Sequence, residues 1–139
     1  MTITEIYNLF EEIALTKVGV NSFYKSNPYT AYNQPDVRYS SICFEITNCT
    51  DTETYRTFTA TLYYADRLTE TAENKFLIEN TAVNTISDII EDIREIEGVI
   101  NVSENIQYTF FSQKFIDFLS GAYCTIDITV PINNCNRMN

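Results

Sequence analysis

The sequence predicts an α+β fold: a two-layer sandwich whose mainly antiparallel four-stranded sheet carries helices on one face, in the order α-β-β-α-β-β. Three observations predict it. Two segments repeat apolar residues at spacings of three and four, four segments are strand-like, and the strands come in pairs on either side of the second helical segment. A short polar turn makes the first pair an antiparallel hairpin, and a helix between two hairpins is expected to lie across the sheet they form. The 139 residues make one domain with one core.

Ile3, Ile6, Tyr7, Phe10, Ile13, Ala14 and Val18 share one helical face, and Thr2 with Glu5 forms a capping box, so a helix is predicted over 3–18 with Gly19 as its stop. Residues 21–38 hold Pro28, Pro35, four Asn or Gln and the aromatics Phe23, Tyr24, Tyr29 and Tyr32, with no period of 2 or 3.6. They read as a long arm-like loop, of a length that is usually functional. Ile42, Phe44 and Ile46 alternate with polar residues, as do Phe58, Ala60, Leu62 and Tyr64, with a turn expected at 48–53. A polar linker at 69–74 precedes the stripe Val83, Ile86, Ile89, Ile90, Ile93 and Ile96, a helix over 81–97 that Gly98 ends. A strand would put half of those isoleucines in water. Residues 99–111 read as a strand, 112–121 as an apolar connection, and Ala122, Cys124, Ile126, Ile128 and Val130 as the clearest strand. Pro131 closes it, and 132–139 reads as a loose tail.

Composition narrows the function. The chain has no histidine, which removes the commonest general base and every Ser/His or Cys/His nucleophile pair. Three isolated glycines build no phosphate loop, so no nucleotide cofactor is expected. Cys43, Cys49, Cys124 and Cys135 form no CxxC pair, so no metal is expected either; Cys43 and Cys124 sit in strand-like runs as buried structural thiols. No basic segment followed by an apolar stretch opens the chain, and no apolar run approaches a membrane span. A protein made in a cytoplasm, with no membrane partner, is the expectation. On that expectation the sequons at Asn48 and Asn101 carry no meaning. The net charge of −10 repels phosphate backbones, so specific nucleic-acid binding is not expected.

Nine acidic residues against three basic ones between 66 and 98 supply most of that charge. Asp88, Glu91, Asp92 and Glu95 project together from the helix, opposite the isoleucine stripe. They are read as a solvated acidic face, since catalytic carboxylates sit in apolar-walled clefts and a calcium loop has a fixed order absent here. The 10 Tyr and 9 Phe exceed the need of one small core. Those of the arm, with Tyr24, Tyr29 and Tyr32, and of the 108–118 region are read as interface residues. The alternative for the 112–121 connection is an ordinary loop whose apolar residues cap the subunit's own core.

Phe111, Lys114, Phe115, Asp117, Gly121 and Tyr123, running Phe-x-x-Lys-Phe-x-Asp-x-x-x-Gly-x-Tyr into the last strand, resemble a stretch of the small tail and neck ring proteins of tailed bacteriophages, crAss-like phages among them. Tyr63-Tyr64-Ala65-Asp66-Arg67-Leu68 is similar to another part of that pattern, and the order of elements is similar to that of tail-terminator and tail-completion proteins. The resemblance covers residues 40–130. It implies a structural virion protein without enzymatic activity, made in the bacterial host cytoplasm. In the particle it would form a homo-oligomeric ring of six or twelve copies at the neck or tail, against portal, neck or tail proteins and around the DNA channel. Rings require a head-to-tail interface, for which Phe111 and Phe115 would be anchors and Lys114 and Asp117 a charge pair, with Tyr123 beside them. The alternative reading is a small acidic adaptor or inhibitor that binds a basic protein partner through the acidic helix. A third, an enzyme with a carboxylate pair or an activated cysteine, has no base to support it.

Overall fold

The computed structural model describes residues 1–114 and 118–132, with Gln113 and Lys114 as backbone only. Its class is α+β, with three helices and a mixed sheet of six strands where four antiparallel ones were expected. Helix α1 spans Ile3–Ala14 and opens with the capping box: Thr2 Oγ1 accepts the Glu5 N–H at 3.1 Å, and the Glu5 carboxylate accepts the Thr2 N–H at 3.2 Å. It ends four residues earlier than its apolar pattern suggests. Single i→i−3 bonds from Thr16 and Lys17 tighten the chain into turns after the helix, and one from Val20 to Lys17 O closes a turn around Gly19, whose φ is +88°.

The predicted arm is a folded segment. It contains strand β1, Ser22–Tyr24, and the four-residue helix α2, Pro28–Ala31, capped by Asn27 with proline at its first position. β1 pairs in parallel with β2, Ser41–Asp51, so the sheet is mixed. β2 pairs antiparallel with β3, Tyr55–Arg67, across a turn at Thr52–Thr54. The strand outlasts the expected turn at 48 because a bulge between Ile46 and Asn48 resets the alternation and hides it from a period of two.

Helix α3 runs Lys75–Arg94, six residues earlier at its start and three at its end than the stripe implies. Asn74 fastens its start to the end of β3, donating to Arg67 O at 3.1 Å and accepting the Thr69 N–H at 2.9 Å. The predicted strand over 99–111 is two elements, β4 (Asn101–Val102) and β5 (Thr109–Lys114), both on the same edge of β6 (Leu119–Pro131). The predicted 112–121 connection contributes its first residues to β5 and its last to β6. The strand order is β1-β2-β3-β6, then β4 and β5 side by side. Of the predicted tail, Ile132 donates its N–H to Thr54 O at 2.9 Å; 133–139 lie outside the described residues.

Two cores result. Ile42, Phe44, Phe58, Ala60, Leu62, Ile126 and Ile128 of the inner sheet face pack on Ile6 and Phe10 of α1 and on Ile78, Ile86, Ile89, Ile90 and Ile93 of α3. Phe10 stacks on Phe44 at 4.0 Å between ring centroids. On the opposite face Cys43, Ala65 and Leu119 are covered by Ala31, Tyr32 and Val37 of the arm and by Phe111 of β5. Helices α1 and α3 therefore share one face, and the arm with α2 makes a partial third layer on the other.

Candidate interaction surface

The second core collects most of the aromatic residues singled out in the sequence. Tyr32 is fully buried, and its hydroxyl donates to Ser41 O at 3.2 Å. Phe111 is buried over Gly121, and Tyr24 and Tyr123 are half-buried around them. Tyr63 stacks on Tyr123 at 4.7 Å and lies 6.2 Å from Phe111. Tyr39 packs 5.8 Å from Tyr32, with the Arg67 guanidinium 5.1 Å over its ring. Tyr32 and Phe111 are thus packed inside the chain's own second core. Tyr29 is 63% exposed, and its hydroxyl lies close enough to Tyr63 to help hold that phenol protonated, after the larger effect of burial. Lys114 lies on β5, while Phe115 and Asp117 lie outside the described residues.

Further apolar residues are exposed at the start of α3, on β5 and at the entry to β6; Phe110 and Phe118 belong to the 108–118 region whose aromatics the sequence reads as interface residues, whereas Phe76 and Leu77 were not singled out. Phe76 and Leu77 of the first turn of α3 are 77% and 68% exposed, and Phe118 and Phe110 are also exposed. Leu68 N–H donates to Phe118 O at 3.2 Å, and Asn74 ties α3 to Arg67, so Phe118 and the start of α3 both lie at the end of β3, while Phe110 sits opposite Ala122 on the outer edge of β6. The helical angle was the available signal: Phe76 and Leu77 stand off the stripe that Ile78, Ala82 and Ile86 continue. Phe118 also has φ +58°, a rare conformation for a bulky side chain, and it turns the chain into β6.

The acidic residues lie on the helical layer. Asp88, Glu91 and Glu95 are exposed and Asp92 is half-buried. Asp92 pairs with Lys17, in the turns that follow α1, and Glu91 with Arg94, whose other nitrogen donates to Ser103 O at 2.5 Å. Asp88 and Glu95 have no ion pair among the described residues. The four carboxylates are therefore one helix surface, half of it engaged within the subunit.

Burial pushes the Cys43 thiol up to about 12, against a hydrogen bond with Tyr32 that pulls the other way; burial alone does the same to Cys124. Both are held as thiols at neutral pH, the opposite of an activated nucleophile. Cys49 is exposed, and Cys135 lies outside the described residues. Among the described residues no group of three or more Cys, Asp or Glu is arranged to hold a metal, and no helix is long and apolar enough to cross a membrane. Neither a family model nor a curated protein matches the chain.

Proposed function

We propose that the chain is a structural protein that assembles head-to-tail into a closed ring, at the neck or tail of a tailed bacteriophage. The observation that carries the assembly reading is the exposure of four large apolar side chains, Phe76 and Leu77 in the first turn of α3, Phe110 on β5 and Phe118 at the entry to β6. Apolar surface of this kind becomes the buried centre of an interface when a neighbour covers it. Exposed Tyr29 lies on the other sheet face, where it serves as a rim contact. The placement at neck or tail, with portal and tail proteins as partners and the virion as the location, rests on the motif resemblance through Phe111, Gly121 and Tyr123. The acidic surface suits that station, because negative walls repel DNA and let it slide.

Light scattering after size exclusion, with negative-stain images, tests this: a closed ring of six or twelve copies is expected, or a monomer that closes only on added portal protein. A monomer that stays monomeric with portal and tail proteins overturns it. The exposed Asp88 and Glu95 support a second reading, an acidic adaptor for a basic protein. Replacing Asp88, Glu91, Asp92 and Glu95 by Ser abolishes partner binding under that reading and leaves ring formation intact under the first.

A further inference from the structure

Between Ser103 and Thr109 the chain leaves the edge of β6 and returns to it. Ser103 sits opposite Asp127, donating its N–H to the Asp127 carbonyl at 3.0 Å and accepting the Asp127 N–H on its hydroxyl at 2.8 Å. Thr109 pairs with Tyr123. The five residues 104–108 thus span only the three β6 residues 124–126, and the surplus arches outward as an oversized bulge, a device that often borders functional sites. Beneath the arch is a cleft of about 390 Å³ lined by Asn105, Gln107, Thr109, Tyr123, Cys124 and Thr125.

The floor of this cleft is unpaired main chain. Along an antiparallel strand each residue turns its N–H and C=O to one side, and its neighbours turn theirs to the other. Asp127 and Thr129 direct theirs towards β4, as the bonds from Ser103 and from Ile100 N–H at 2.8 Å demonstrate. Thr125, in the same phase, directs both of its groups into the cleft. Neither has a protein partner among the described residues. The Cys124 thiol turns into the core, and none of the six lining residues carries a charge at neutral pH.

We infer that the cleft binds a small uncharged ligand presenting one extended peptide unit, such as an N-acylated amino-acid amide. A peptide residue opposite Thr125 continues, in register, the pairing that β5 makes at Tyr123 and Ser103 makes at Asp127. From Tyr123 to Asp127 is four strand steps, roughly 14 Å, which admits one residue with its flanking amides and excludes a longer strand lying along the edge. Asn105 and Gln107 bring donors and acceptors for those flanking amides, and Tyr123, braced by Tyr63, forms an aromatic wall. The volume lies at the small end of ligand pockets. The site stands whether or not the subunit assembles.

Titration of ¹⁵N-labelled protein with N-acetylalanine N′-methylamide, followed by amide chemical shifts, tests this. Saturable shifts centred on Asn105, Gln107 and Thr125 are expected, weakened at least fivefold in an Asn105→Ala, Gln107→Ala variant whose remaining spectrum is unchanged. Thr125→Pro deletes the one N–H that faces the cleft and leaves the ladder to β3 its donors; it should abolish the shifts, and if it does not fold the double variant decides. No saturable shift, equal binding by the double variant, or tighter binding of a methyl glucoside at the same residues would overturn the proposal.

Discussion

Gly121 is the position where a single methyl group does the most damage. A Cβ there would stand 1.8 Å from the Tyr64 carbonyl oxygen and 3.0 Å from the Phe111 ring, and the first contact is backbone of the neighbouring strand β3, which cannot rotate away. Gly19 makes the contrast: its φ is +88°, and an added Cβ meets nothing within 4 Å. Gly19→Ala should therefore cost about 1 kcal/mol from backbone strain alone, and Gly121→Ala about 3 kcal/mol or more from overlap. Urea unfolding midpoints of the two variants check the order. The buried thiols give a second prediction at this scale. Cys43 and Cys124 keep their protons to about 12 in the folded chain, whereas an unfolded thiol loses its proton near 8.5. The folded state then binds more protons between those values, so stability is full below about pH 8.5 and falls as pH rises to about 12, by up to about 3 kcal/mol per pH unit for the two groups together. Tyr32, Tyr63, Tyr64 and Tyr108, all raised by burial first, add to the fall only above about pH 10, where an unfolded tyrosine ionises. Unfolding midpoints from pH 7 to 11 should show the onset, and a Cys43→Ala, Cys124→Ala variant should lack the part that begins near 8.5.

Among the elements, the arm depends on one anchor. β1 and α2 are too short to be stable alone, and Tyr32, fully buried between Ser41, Cys43 and Tyr39, holds them on the outer sheet face. Tyr32→Ala removes the largest buried side chain of that core and should cost about 3–5 kcal/mol, with amide exchange in residues 22–37 accelerated far more than in α3. If α3 and the arm lose protection together, the arm is no separate unit. The same shortness explains what the sequence could not display. The isoleucine stripe of α3 and the alternation of β6 are long enough for their periods to stand out, and both elements form, α3 shifted to start six residues and end three residues earlier than expected. A three-residue strand and a single helical turn leave no period, so the arm looked structureless. The parallel partner of β1 lies 19 residues away in register, Ser22 to Ser41, and local pattern carries no sign of it. Residues 99–111 read as one strand because Ile106 and Tyr108 are apolar enough to continue it, although they leave the β6 edge and pack on the core from a loop. Of the candidate surface, the acidic helix face was legible because charge and helical angle are local properties. Phe110 and Phe118 fall in the 108–118 region whose aromatic surplus was read as interface, whereas Phe76 and Leu77 were not legible, since the helix that carries them was expected to start only at 81.

At the scale of the whole molecule, charge and apolar surface oppose each other, and salt separates their contributions. The chain carries −10, so in the proposed ring every added copy would raise the repulsion, while covering Phe76, Leu77, Phe110 and Phe118 would give the favourable term. Raising ionic strength from 0.1 M to 1 M shortens the screening length from about 10 Å to about 3 Å and leaves apolar burial in place. Self-association through the exposed apolar side chains should therefore strengthen with salt, with the oligomer fraction at fixed protein concentration rising several-fold in sedimentation velocity. Replacing Asp88, Glu91, Asp92 and Glu95 by Ser removes four negative charges and should imitate the salt at 0.1 M. Binding of a basic partner through that helix has the opposite sign on both counts, because salt and the four substitutions each weaken attraction between unlike charges. An oligomer that dissociates as salt rises would show that the contacts between copies are charge-complementary, and the exposed phenylalanines would then not be the interface.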